Sequence, residues 1–248
     1  MTMTKLVLTA HQPGYLPWLG LFHKIALADL YCVFDVAQYQ TKEFDNRNRI
    51  KTPNGPLWLS VPVESKGHFQ KTIGDIPIVH DGWNKKHVRS LQMAYGKAPY
   101  FKDYMGEIEA ILMQGHARLS DLNVALLKTF LKWLAIDVPV VRASDYDLQG
   151  AKSDLVLDMC LKLKASDYIF GAQGKDYADI PSFLKAGVTP YFQAYSHPTY
   201  RQVGGGDFLP YMSVLDLLFN AGSESRDIIM RGNAASLAEL GQQGAVSS

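Results

Sequence analysis

From Lys5 to Ala10 the chain is a short, continuous apolar run rich in Val, Leu and Thr, the pattern of a buried strand. The Pro- and Gly-bearing stretch His11 to Gly20 that follows is predicted as a loop. A helix is predicted from about Leu19 to Ala28, because Leu21, Phe22, Ile25 and Leu27 share one broad face while His23 and Lys24 lie off it. Leu30 to Phe34 then reads as a second core strand ending at Asp35. A strand, loop, helix and strand in about thirty residues is the size of a parallel crossover, which is right-handed in most proteins.

Alternation takes over next. NRNRIKT and PLWLSVPV flank the turn PNG, which predicts a β-hairpin, and the β-branched run Ile73 to Val79 predicts a further strand. Helical periodicity governs Asn84 to about Leu134, and Pro99 and Gly115 divide it into three helices. Val138 to Arg142, Tyr168 to Phe170 and Val188 to Tyr195 are strand candidates, separated by helices at Ser153 to Lys164 and Pro181 to Ala186. Ser213 is placed to cap a helix carrying Val214, Leu215, Leu217, Leu218 and Phe219, with Gly222 as its stop. A short helix follows at Ser225 to Met230.

The fold expected is α/β: a mainly parallel, Rossmann-like sheet with a β-hairpin and an inserted helical subdomain at about residues 80–135. It forms one domain over residues 1–232, and the small, polar residues 233–248 form a flexible tail.

Charge narrows the range of partners. Lys plus Arg number 25 against 24 Asp plus Glu, a net charge of +1, with no basic stripe, so neither nucleic acid nor an anionic membrane surface is an expected partner. The longest mainly apolar stretch, Val124 to Val141, is interrupted by Lys128, Lys132, Asp137 and Pro139, so no membrane span is expected. No secretory leader pattern precedes the first strand, and a cytoplasmic location is expected. Cys32 and Cys160 lie in no metal-ligand spacing and read as buried hydrophobes, so no metal is expected.

In a parallel α/β sheet ligands collect beyond the carboxyl ends of the strands. The loop after the first strand carries His11, Gln12, Tyr15 and Trp18, an imidazole, an amide, a phenol and an indole held by Pro13 and Pro17. Such a loop either lines a cleft or folds its aromatic rings back onto the core. Asp35 ends the second strand at the same edge, with Gln38 just beyond, and a carboxylate there is suited to orient an imidazole or a substrate hydroxyl. Arg47 and Arg49 share one face of the first hairpin strand and Asn46 and Asn48 the other, so the arginines are either a solvated face or a phosphate-binding fork. GAQGKDY directly follows a predicted strand, and its glycines would let the backbone approach an anion, with Lys175 and Tyr177 alongside. Asp216, in the first turn of a largely apolar helix, has two readings: a ligand of the helix N-terminus, or a carboxylate crossing to Arg47 or Lys24. No GxGxxG, P-loop, GxSxG, SxxK or HExxH signature is present, and no cofactor is expected.

HQPGYLPWLGLFHKIALADLYCVFD, the NRNRIK and WLSVPV hairpin, GAQGKDY and YRQVGGGDFLPYMSVLDLLFNAG together resemble the WbqC-like protein family, from His11 to about Gly222. The resemblance implies a protein of bacterial surface-polysaccharide or specialised-metabolite biosynthesis, with glycyl or acyl transfer, or thioesterase-like release, as the expected activity. It assigns no catalytic roles. The first loop also resembles the histidine loop of nucleotidylyltransferases, without the second histidine of that motif.

Three functions are in play. In the first, an acyl group on a carrier-protein or coenzyme A thioester passes to a small-molecule acceptor, an amine or hydroxyl, or to water. His11 is the base, Asp35 orients it, Arg47 and Asn48 hold an oxyanion or phosphate, and Gln12, Tyr15, Trp18, Lys24, Gln38, Lys175, Tyr177 and Asp216 contact substrate. In the second, His11 and Lys24 face a nucleotide triphosphate. In the third, the aromatic loop is a non-catalytic platform for a carrier protein or sugar.

Overall fold

The structure, a computed structural model, describes residues 5–64, 66–67 and 71–245. In chain order the elements are β1 (Val7–His11), α1 (Leu19–Ala26), β2 (Leu30–Val33), β3 (Arg47–Thr52), β4 (Gly55–Ser60), α2 (Trp83–Tyr95), α3 (Phe101–Met113) and α4 (Leu119–Trp133). They continue with β5 (Val140–Arg142), α5 (Ser153–Lys162), β6 (Asp167–Phe170), α6 (Ile180–Lys185), β7 (Thr189–Phe192), α7 (Val214–Ala221), α8 (Ser225–Met230) and α9 (Leu237–Ala245).

Five strands form one parallel sheet in the order β5-β2-β1-β6-β7, and β3 and β4 form a separate antiparallel hairpin. Strand alternation sorts the core into layers. Leu8, Ala10, Cys32, Tyr168 and Phe170 point to one face, where Val156, Met159 and Cys160 of α5 and Phe183 of α6 cover them. Tyr31 and Val33 point to the other, against Leu21, Phe22 and Ile25 of α1 and the apolar faces of α2, α3, α4 and α7. Residues between β2 and β5 therefore supply the second layer on the α1 side, and their helices enter the same core as the sheet.

The strand order decides where a ligand belongs. From β1 the chain moves outward through β2 to β5, then returns to β6 on the opposite side of β1. Connections leave β1 and β6 in opposite directions, and in doubly wound sheets the carboxyl ends of two such strands are where ligands bind. His11 is the last residue of β1 and Phe170 the last of β6.

Two expected elements differ. Ile73 to Val79 forms no strand: Ile73–Asp75 is a 3-10 turn, and isolated bridges pair Val63 with Ile78 and Pro77 with Arg118. The β-branched composition is real, but no neighbour offers a continuous ladder, so Ile73, Ile76 and Ile78 simply enter the core. Within the expected tail, Leu237–Ala245 is helical, and Leu240 and Ala234 are buried with Val7 and Ile169. Residues 1–4 and 246–248 lie outside the described residues.

Candidate functional site

The loop after β1 is held from behind. Tyr15 and Leu16 are fully buried. Leu16 adopts φ 46°, a left-handed conformation that strains a non-glycine residue by roughly 1–3 kcal/mol unless its surroundings fix it. Asn48 supplies that fixing: its Nδ2 donates to the Leu16 carbonyl at 2.6 Å and its Oδ1 accepts from the Arg49 amide at 2.7 Å. Asn123 of α4 donates to the Pro13 carbonyl at 2.7 Å and the Asp45 carbonyl at 2.8 Å, and the Tyr15 amide donates to the Phe44 carbonyl at 3.0 Å. The Tyr15 hydroxyl donates to Nδ1 of His87 at 2.8 Å. Burial pushes the Tyr15 phenol up and the His87 imidazole down to about 4, so both stay neutral.

With its base clamped, the loop begins at His11, at the carboxyl end of β1 beside β6. Nδ1–H of His11 donates to the Gln12 carbonyl at 2.8 Å, which sets the tautomer and leaves Nε2 with its lone pair. That nitrogen makes no hydrogen bond among the described residues. The Trp18 ring stands edge-on to the imidazole, 5.0 Å between centroids. Burial first, and the Lys24 ammonium second, bring the His11 pKa down to about 4 against the opposing Gln12 bond, so the ring is uncharged at neutral pH.

Lys24 is 3% exposed. Its Nζ donates to the Ala10 carbonyl at 2.9 Å, and no carboxylate of the described residues lies within 4.0 Å of it. Burial lowers its pKa to about 8, which leaves an unpaired, mostly protonated ammonium beside the end of β1. A buried cation without a counter-ion is costly, and an arriving anion relieves that cost.

From His11 a row of rings runs to the hairpin. Trp18 and Phe44 are 5.8 Å apart, Phe44 and Trp58 5.9 Å. Arg47 and Arg49 lie over Trp58 at 4.4 and 5.5 Å, because β3 alternation puts both on one face and the hairpin register sets Arg49 opposite Trp58. The two arginines therefore share one face of the hairpin, both over the same indole.

Other expected site residues are engaged elsewhere. Asp35 is buried and accepts from the Ser144 amide and hydroxyl, both at 2.9 Å, with Arg142 Nε at 3.9 Å. It pins the turn after β5, and the expected His11–Asp35 hydrogen bond does not form, because His11 Nδ1 is taken by Gln12. Asn48 and Tyr15 are buried and support the loop from inside. Asp216 takes neither expected partner. It accepts from Tyr95 at 2.8 Å, Tyr200 at 2.8 Å and Gln202 at 2.7 Å, fully buried between α2 and the segment before α7. Gly174 packs its α-carbon against Phe170, where a Cβ would come within 2.4 Å of that side chain; the glycine serves packing rather than anion approach. Lys175 is exposed beside the Phe192 ring at 6.0 Å and Tyr177 lies half-exposed against Phe170, both at the carboxyl end of β6 and β7. Gln38 is exposed and bridges to Thr72. Gln12 lends the site its carbonyl.

Phe44 and Trp58 escaped the sequence reading as site residues, though the alternation of NRNR against PLWLS carries the signal for Trp58. Asn123 had none, since its partners Pro13 and Asp45 are 110 and 78 residues away.

Cys32 and Cys160 are free and buried, and burial raises both thiols, Cys32 to about 12. Neither is poised as a nucleophile. No group of three or more His, Cys, Asp or Glu among the described residues is placed to hold a metal ion, and none of their helices is long and apolar enough to cross a membrane. Two surface depressions, of about 530 and 360 Å³, lie at the amino-terminal edge of the sheet, lined by Ile136, Val138 and Val140, and by Lys5, Asp167 and Thr189. Lys5 and Asp167 pair there at 3.5 Å. Neither depression offers unmet buried charge or a poised base, so the chemistry points to the carboxyl edge.

A model of the WbqC-like protein family matches residues 12–228. A Mycobacterium tuberculosis (strain ATCC 25618 / H37Rv) protein bearing the description "Uncharacterized protein Rv1507c" is 34% identical over 220 residues, which cover 88% of this chain and 95% of that protein. No solved structure matches the chain.

Proposed function

The chain belongs to the WbqC-like protein family, and on that premise we propose that it is a cytoplasmic acyl-transfer enzyme of surface-polysaccharide or specialised-metabolite biosynthesis. The donor is an acyl thioester on coenzyme A or a carrier protein, and the acceptor is an amine, a hydroxyl or water. The observation that carries the reading is the His11 tautomer at the carboxyl end of β1: Nδ1–H is tied to Gln12, and Nε2 has no hydrogen bond among the described residues.

Nε2 takes the proton from the acceptor N–H or O–H as that atom bonds to the thioester carbonyl carbon. The carbonyl oxygen gains the electron pair, and collapse re-forms the carbonyl and breaks the carbon–sulfur bond. The imidazolium returns the proton to the departing thiolate. Lys24, a cation near His11 and bonded to the Ala10 carbonyl at the end of β1, favours the build-up of negative charge. Asp35 holds the neighbouring turn in place through Ser144.

A nucleotide-dependent transferase is the second reading. It is favoured by the strand order, which puts Lys24 and His11 at the switch point where doubly wound sheets receive phosphates.

The test is thiol release from a panel of acyl-CoA thioesters, with and without amine acceptors, by wild type and His11→Asn. Acyl transfer predicts release by wild type and a loss of about 10²–10⁴-fold in His11→Asn at unchanged melting temperature. Equal rates in the two proteins would remove His11 from the chemistry. Tight ATP or CTP binding without thiol release favours the nucleotide reading.

A further inference from the structure

The hairpin face carries charge that the protein itself does not meet. Each guanidinium has five N–H donors. Among the described residues Arg47 donates from Nη2 to the Lys42 carbonyl and Arg49 from Nη2 to the Tyr211 carbonyl at 3.3 Å. Among the described residues the Nε atoms of both are buried without a hydrogen-bond partner, and no carboxylate lies within 4.0 Å of either group. Two arginines thus lie over one indole, without a counter-ion among the described residues. Trp58 remains 42% exposed and Phe44 38% exposed, so the rings joining this face to Trp18 and His11 are open to a ligand.

We infer that the β3–β4 hairpin is the binding site for the phosphate end of the donor, with Arg47 and Arg49 gripping the phosphate and the rings of Trp58, Phe44 and Trp18 carrying the neutral arm toward His11. Charge decides the class of ligand. Both guanidinium carbons lie over the one Trp58 ring, 4.4 and 5.5 Å from its centre, so an anion with several oxygens, such as a phosphate, can meet both forks at once. Planar forks held against an aromatic ring lose little freedom on engaging such oxygens. The ring-to-ring steps of 5.9, 5.8 and 5.0 Å are short enough for a slim arm to touch each ring in turn. A phosphorylated pantetheine thioester has these parts in this order: anionic end, neutral arm, reactive carbonyl. The inference rests on the acyl-transfer reading of His11, and adds which part of the donor is recognised and where.

Binding of coenzyme A, 4′-phosphopantetheine and pantetheine to the full chain, followed by calorimetry, tests it without any need for turnover. Coenzyme A is expected to bind at least tenfold more tightly than pantetheine, and its affinity to fall with added NaCl while that of pantetheine does not. Arg49→Gln, and Arg47→Gln with Arg49→Gln, should weaken coenzyme A tenfold or more and leave pantetheine unchanged. Phosphopantetheine binding as tightly as coenzyme A assigns the contact to the single phosphate of a carrier-borne arm; tighter coenzyme A binding assigns it to the pyrophosphate of the free nucleotide. Equal affinity for coenzyme A and pantetheine, an arginine variant that still binds coenzyme A normally, or no coenzyme A binding would overturn the inference. His11→Asn separates the two claims. Full turnover in that variant, alongside weakened coenzyme A binding in the arginine variants, removes the His11 chemistry and leaves the phosphate site standing.

Discussion

Two polar clusters of this protein look alike in sequence and differ in what surrounds them. Around Asp216 every demand is met internally. Tyr95, Tyr200 and Gln202 donate to its carboxylate, Asn220 donates to its carbonyl at 2.7 Å, and the Ser213 hydroxyl caps the Leu215 amide at 3.2 Å. Burial pushes the Asp216 carboxyl up, and those three side-chain bonds together with the Lys51 ammonium oppose the rise. At the carboxyl edge the balance is open: His11 Nε2 has no partner, and Lys24, Arg47 and Arg49 have no carboxylate among the described residues. The first cluster stabilises the joint between α2, α7 and the segment from Tyr200 to Leu209. The second keeps its donors and acceptor for something else. Unmet valence, rather than polarity, separates the working edge from the structural knot.

Exchanging the two clusters' roles by mutation gives the sharpest test. His11→Asn should lower turnover by about 10²–10⁴-fold while shifting stability by less than about 1 kcal/mol, read by thiol release and urea unfolding. Asp216→Ala should do the reverse. Three buried donors lose their acceptor, so unfolding free energy should drop by about 3–5 kcal/mol while the folded fraction keeps its coenzyme A affinity. A stable but inactive Asp216→Ala protein would move Asp216 into the working site.

Acid should separate the groups by sign. His11 and His87 have folded pKa values near 4, below the unfolded value of 6.5, so between those limits the unfolded chain binds more protons. Their contribution is full above pH 6.5 and is lost as pH falls toward 4. Asp45 acts oppositely: burial, with Glu43 nearby, raises its carboxyl to about 7, so its contribution declines as pH rises from about 4 to 7. Asp45→Asn should therefore steepen the loss of stability below pH 6.5, measured as melting temperature across pH 4–8. A shallower loss would contradict the assignment. The smallest effect belongs to the thiols. Cys32→Ala and Cys160→Ala should each cost about 1 kcal/mol through a small cavity, with normal turnover; a stable acyl-cysteine adduct would contradict this.

How far these clusters could be read in the sequence depends on the range of the contact. Periodicity places α7 with its Ser213 cap, the PNG hairpin, the three helices before β5 and the parallel strands, because each signal lies within a few residues of the element it predicts. The partners of individual polar residues are another matter. Asp35 meets Ser144 from 109 positions away and Asp216 meets Tyr95 from 121, and nothing local distinguishes those carboxylates from one that orients a histidine. The Arg47–Arg49 pair was legible as one face of a strand, whereas its indole mount depends on the hairpin register. His11 was legible from its place at a strand end. Its tautomer follows from a bond to the adjacent carbonyl that only the loop conformation reveals.

The account turns on an uncharged imidazole with its outer nitrogen available, and nitrogen NMR of the His11 ring from pH 3.5 to 9, assigned by comparison with His11→Asn, observes that state directly. The prediction is an Nδ1–H tautomer that stays neutral down to an apparent pKa of about 4, with the Nε2 resonance shifting when coenzyme A is added. An ordinary pKa near 6.5, or an Nε2–H tautomer with no response to coenzyme A, would contradict it.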